Sequence, residues 1–118
     1  MAQLKIYSTA PNGNEAADME DALYMNLAIS KLKEESVRMK TADMPVQIML
    51  AHIDILLHLS DKFIEGAHLS IKSKDVKDWK ETFYDWFERC KTKIPAKFRD
   101  GIKQSADELF DRLEEVAR

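Results

Sequence analysis

Apolar side chains recur every three or four residues along most of this chain, the period of a helix laid against a core. Between residues 14 and 40, Ala22, Met25, Ile29, Leu32, Ser36 and Met39 share one face, and Leu23 and Leu27 widen it. Asn14 suits the cap of this helix, and Glu15, Asp18, Glu20 and Asp21 suit its positive end, with Lys31, Lys33, Arg38 and Lys40 toward the other. A second helix is predicted over about 44–66, with Asp43 as cap, Pro45 in the first turn and Gly66 as the stop. Its polar residues Gln47, Asp54, His58, Asp61 and Glu65 occupy one narrow face. Val46, Ile48, Met49, Leu50, Ile53, Ile55, Leu56, Leu57, Leu59, Phe63 and Ile64 fill the rest, an apolar arc so broad that it calls for cover from several sides.

The pattern is sharper downstream. Over about 74–92, with Ser73 or Asp75 as cap, the residues Val76, Trp79, Phe83, Trp86, Phe87, Cys90 and Ile94 make one stripe with charged residues opposite. Pro95 opens a fourth helix to about residue 117, whose buried line is expected to be Phe98, Ile102, Leu109, Leu113 and Val116, with Ala106 beside it. Before all four, Ala2, Leu4 and Ile6 alternate with polar residues and Pro11-Asn12-Gly13 reads as a turn, so residues 1–13 are expected to form a short extended arm. Four helices joined by short links predict an all-α fold, an antiparallel up-down-up-down four-helix bundle spanning 14–118.

Composition keeps this picture and narrows it. A chain of 118 residues with 45% apolar and 33% charged positions supports one core and one domain. The single cysteine, Cys90, excludes an internal disulfide framework and a multi-cysteine zinc site. No apolar run reaches the roughly 20 residues of a membrane span, and the first residues lack the order of a signal peptide, so a cytoplasmic location is expected. The formal net charge of −3 is unevenly laid out, with residues 72–103 at +4 and the remainder at −7.

Few constellations carry chemistry. Asp54, His58, Asp61 and Glu65 stand at helical spacing and offer oxygen and imidazole ligands, which makes them the candidate metal site of a phosphohydrolase or nucleotide hydrolase. A bare solvated face produces the same spacing. Glu65-x-x-His68 matches half of a carboxylate-bridged di-iron element and occurs once, with Gly66 inside it. A triphosphate and magnesium site needs Glu-x-x-Glu on one helix and Glu-x-x-Asp on the next. Glu34, Glu35 and Asp54 approach this, but Arg38 and Ala51 stand where acids are required. His52 falls on the apolar side of its helix and reads as a buried, hydrogen-bonded histidine, and Cys90 as a small core residue. No nucleophile elbow, phosphate loop or dinucleotide fingerprint is present, so no catalytic residue and no cofactor are expected.

Two surfaces remain as candidates. Arg89, Lys91, Lys93, Lys97, Arg99 and Lys103 crowd the turn between the third and fourth helices, where they could hold an acidic protein surface, a phosphate ligand or a nucleic acid. The same cations would also complement the negative end of a helix. Tyr84 and Phe110, off the centre of their stripes, are expected as interface aromatics. The functional expectation is a small non-enzymatic protein-binding module, an adaptor, inhibitor or accessory factor that occupies a partner surface. Its partner is expected to be another protein with an acidic or apolar surface, and the chain itself to form a homodimer. Nucleic-acid binding at the corner and metal-dependent hydrolysis are the alternatives.

Overall fold

The computed structural model describes residues 15–61 and 71–118. They form α1 (Glu15–Met39), α2 (described over Met49–Asp61), α3 (Ser73–Cys90) and α4 (Ala96–Val116), with one 3-10 turn at Lys91–Lys93 between the last two. No strand occurs among the described residues, and the fold is all-α. The predicted arm at 1–13, the Asn14 cap, and Phe63, Ile64, Glu65, Gly66 and His68 lie outside the described residues.

Chain direction alternates from helix to helix, as expected, and contacts across the bundle show how the helices are laid out. Tyr84 reaches Asp107 and Lys80 reaches Glu114, so α3 and α4 are antiparallel. Lys33 meets Asp75, and Arg89 in the last turn of α3 meets the end of α1, so α1 and α3 are parallel. Leu50 shares a groove with Phe98, and Asp61 lies 3.9 Å from Arg112, so α2 and α4 are parallel too. The main contacts join α1 to α2 and α3, and α4 to the same two helices. The molecule is therefore two helical hairpins, α1–α2 and α3–α4, set side by side with like helices adjacent. α2 and α3 stand on opposite corners of the bundle.

The core between the hairpins is aromatic on one side and aliphatic on the other. Phe83 is fully buried and has the rings of Tyr84, Trp86, Phe87 and Phe110 within 5.5–6.4 Å, in edge, tilted and stacked arrangements. Such pairs add to the area term. Trp86 buries its indole by donating Nε1–H to the Met44 carbonyl at 3.0 Å. From the other hairpin come Met25, Ile29, Leu32, Met39, Met49, Ile53, Leu56 and Leu57. The α1–α3 seam carries one polar staple: Ser36 donates to Asp78 at 3.0 Å, and Lys40 bonds Asp78 and Thr82, both at 3.1 Å. Ser36 and Thr82 are buried, so their hydroxyls need these partners.

Several helix starts depart from expectation. Pro45 does not open α2, which begins at Met49. Residues 40–48 are loop because α1 holds them: Arg38 donates to the Val46 carbonyl, and the buried Glu35 carboxylate accepts the Ile48 N–H at 2.7 Å. Gln47 then accepts the Leu50 N–H at 3.0 Å as the local cap. At α3, neither Ser73 nor Asp75 is the cap. Lys72 occupies that position without a side-chain bond, and the Ser73 N–H goes instead to the Arg118 carbonyl. Pro95 is the cap of α4, which starts one residue later.

A partner-binding candidate face and the basic corner

All seven members of the α3 stripe are buried, and the expected stripes on α1 and α4 hold except at a few positions. On α1, Met25, Ile29, Leu32, Ser36 and Met39 are inside, whereas Ala22, Leu23 and Leu27 face outward. On α4, Phe98 is 52% exposed while Phe110 is fully buried. Ala106 and Leu113 are buried and Ile102, Leu109 and Val116 partly buried, as expected, so the departure is confined to Phe98 and Phe110. Phe110 is thus not an interface aromatic. Tyr84 is not one either: its ring packs edge-on to Phe83 and beside Phe110, and its hydroxyl donates to Asp107. Burial, then the hydrogen bond to Asp107, pushes the Tyr84 hydroxyl upward. Asp107 is held below the usual carboxylate range by that same bond and by Lys103.

The broad apolar arc of α2 is only partly covered. Met49, Ile53, Leu56 and Leu57 face the core, whereas Ile48, just before the helix, and Ile55 are each about half exposed, and Ala51 between them is exposed. Two grooves flank this ridge. Toward α1, Tyr24, Leu27, Ala28, Lys31, His52, Ile55 and Leu59 line a hollow of about 340 Å³. Tyr24 and Leu27 are 58% and 54% exposed. Its walls are almost entirely apolar, with the Lys31 amine at the rim, 3.6 Å from Glu34. Toward α4, a groove of about 630 Å³ runs past Leu50, Ala51, Asp54, Lys97, Phe98, Gly101, Ile102 and Ser105. His52 is partly buried as expected, but its buried Nε2 has no hydrogen-bond partner among the described residues.

Of the candidate metal ligands, Asp54, His58 and Asp61 form no metal-holding group, and Glu65 lies outside the described residues. His58 Nδ1 lies 2.8 Å from the Asp54 carbonyl and 3.5 Å from its carboxylate, which ties it along its own helix. Asp61 turns across to Arg112. No group of three His, Cys, Asp or Glu residues able to hold a metal occurs among the described residues. Cys90 is fully buried, with Sγ 3.8 Å from the Ala42 carbonyl.

Five of the six cations of the corner are engaged with carbonyls or carboxylates. Arg89 bonds the Met39 carbonyl at 2.5 Å and the Ala42 carbonyl at 3.2 Å, and Lys93 bonds the Asp43 carbonyl at 2.7 Å. These acceptors are the last carbonyl of α1 and the loop beyond it, groups a helix leaves without partners, and positive charge there also suits the helix dipole. Arg99 bonds the Ile94 and Thr92 carbonyls of the corner itself. Lys91 pairs with Glu88 and Lys103 with Asp107. Lys97 meets no carbonyl or carboxylate among the described residues and stands 5.0 Å over the Phe98 ring. The corner is a clamp that fastens the α1–α2 loop to the α3–α4 hairpin.

Sequence reasoning missed the counterpart of that clamp, Glu35. Burial raises its carboxyl pKa, but the Arg38 hydrogen bond, the Ile48 N–H and the charges of Arg38 and His52 more than offset this and hold it below the usual range. The one available signal was its place beside Ser36 on the buried side of α1. No family model matches the chain, and no curated protein or solved structure matches it either.

Proposed function

We propose that the protein is a small non-enzymatic binding module that seats an apolar anchor of a partner protein in the groove between α1 and α2. The observation that carries this reading is the groove itself, about 340 Å³ with Tyr24 and Leu27 more than half exposed on its wall. Large apolar side chains framing a hollow cost solubility and return nothing to the fold, and anchors seated in such hollows dominate contact energies. The clamp and the Glu35 staple support the same reading, since they hold the α1–α2 hairpin in shape from its loop end. A preorganised surface loses less entropy on binding.

A photo-cross-linking residue placed at Leu27 in the native host tests it. The expected result is one dominant protein adduct from position 27 and none from the exposed control position Asp111. The isolated adduct partner should then bind the purified chain and lose about tenfold or more in affinity to Leu27→Asp. Adducts equal in pattern at the two positions would sink the idea.

A further inference from the structure

We propose that the partner lays an amphipathic α-helix along the α1–α2 groove, with hydrocarbon side chains turned into it and a carboxylate at its margin beside Lys31. The inference rests on the reading of that groove as a docking site and adds the form and charge of what docks there.

The walls set the form. On α1 the groove is lined by Tyr24, Leu27 and Lys31 and on α2 by His52, Ile55 and Leu59, so each wall presents residues at i, i+3 and i+7. Each row runs about 10 Å, two turns of helix. Relief of that period receives the ridges of a third helix, whose own side chains recur at the same spacing. The docking segment then offers its anchors at i, i+3 or i+4, and i+7.

Backbone chemistry argues against an extended segment. A strand docks by pairing its N–H and C=O groups with a sheet edge, and no strand occurs among the described residues. The groove's walls are two helices whose backbone groups are bonded internally, and the lining is almost entirely apolar. An extended segment pressed into such a surface leaves buried amides unpaired, at about 1–3 kcal/mol each. A helix brings its backbone bonds with it.

Charge sets the margin. Lys31 supplies the one ammonium of the lining, and its pair with Glu34 is 3.6 Å long with both side chains at least half exposed, a contact worth little. The ammonium is therefore available to a carboxylate of the docked helix, and water displaced by that helix strengthens the new pair.

Phage display against the full chain decides the matter, with two randomised libraries. One is varied along the exposed face of a single helix in a helical-bundle scaffold, the other along an edge strand of a β-sandwich. The expected binders come from the helix library and carry Leu, Ile, Met or Phe at i, i+3 or i+4, and i+7, with Asp or Glu beside them. They should lose roughly tenfold or more in affinity to Leu27→Asp. Lys31→Glu should weaken them about threefold, and less at high salt. Phe98→Asp, on α4, should leave their affinity unchanged, with circular dichroism showing that all three variants fold. Binders from the strand library, helix binders indifferent to Leu27→Asp, or an empty selection refute the proposal, and helix binders indifferent to Lys31→Glu refute its acidic margin. A position-27 adduct alongside strand-library binders would leave the docking reading standing and overturn this one, so the two fail separately.

Discussion

Helices α2 and α3 are both rich in apolar residues, yet they dispose of them differently. In α3 the apolar positions form one stripe, every member is buried, and Lys77, Asp78, Glu81, Asp85 and Glu88 take the solvent side. In α2 apolar residues occur on nearly every side, and the core has room for those on one side only. Ile48, Ala51 and Ile55 are left over. Stripe and surplus carry different information: a stripe accounts for a fold, whereas a surplus asks what lies outside the chain.

Substitutions can break this contrast or sharpen it. The greatest loss is expected from Phe83→Ala, which empties the centre of the aromatic cluster and should cost about 3–5 kcal/mol in urea unfolding. Ile55→Ala on the surplus face should cost under about 1 kcal/mol, and near-equal losses would erase the distinction. Next comes Glu35→Gln, which weakens the bonds to Arg38 and the Ile48 N–H and should cost about 2 kcal/mol. Because the Glu35 carboxyl is held below its unfolded value, its contribution is present above about pH 4.3 and is lost as pH falls through the folded value. Acid unfolding of Glu35→Gln should therefore show a shallower fall below that pH. A smaller change of opposite sign is expected from Gly101→Ala, a gain of up to about 1 kcal/mol, read as a raised urea midpoint at unchanged slope. Smallest is Leu27→Asp, within about 0.5 kcal/mol of the parent by the same measurement, since the side chain already faces outward.

Periodicity made the helices legible and α3 nearly complete, because a stripe of seven apolar residues has one possible inner face. On α4 it found Ala106 and Leu113, which are buried, and Ile102, Leu109 and Val116, which are partly buried against the core, but took Phe98 for Phe110. Both phenylalanines border that line at helical spacing, and only the helices packed alongside decide which is covered. The start of α2 escaped as well. Pro45 is a sound local signal, but Glu35 and Arg38 reach across from α1 to hold the loop extended, and a local reading has no access to them. The basic corner was found as a place. Two of its members, Arg89 and Lys93, meet carbonyls 47 to 50 residues away, a use within the fold that a local reading has no access to. The two grooves were foreshadowed by the breadth of the α2 arc, though their walls depend on how the hairpins sit together.

The side-by-side arrangement of the hairpins has a kinetic consequence. Within each hairpin the bonded residues lie closer in sequence, 13 apart for Glu35 and Ile48, 23 for Tyr84 and Asp107 and 34 for Lys80 and Glu114, whereas the hydrogen bonds joining the hairpins span 38 to 50. Shorter loops cost less entropy to close. Each hairpin is therefore expected to form early, and the barrier to lie at their docking. Arg89→Ala, which loosens the clamp between them, should then accelerate unfolding in stopped-flow measurements while leaving the refolding arm nearly unchanged, as interactions made after the barrier do. An equal effect on both arms would put the clamp inside the nucleus.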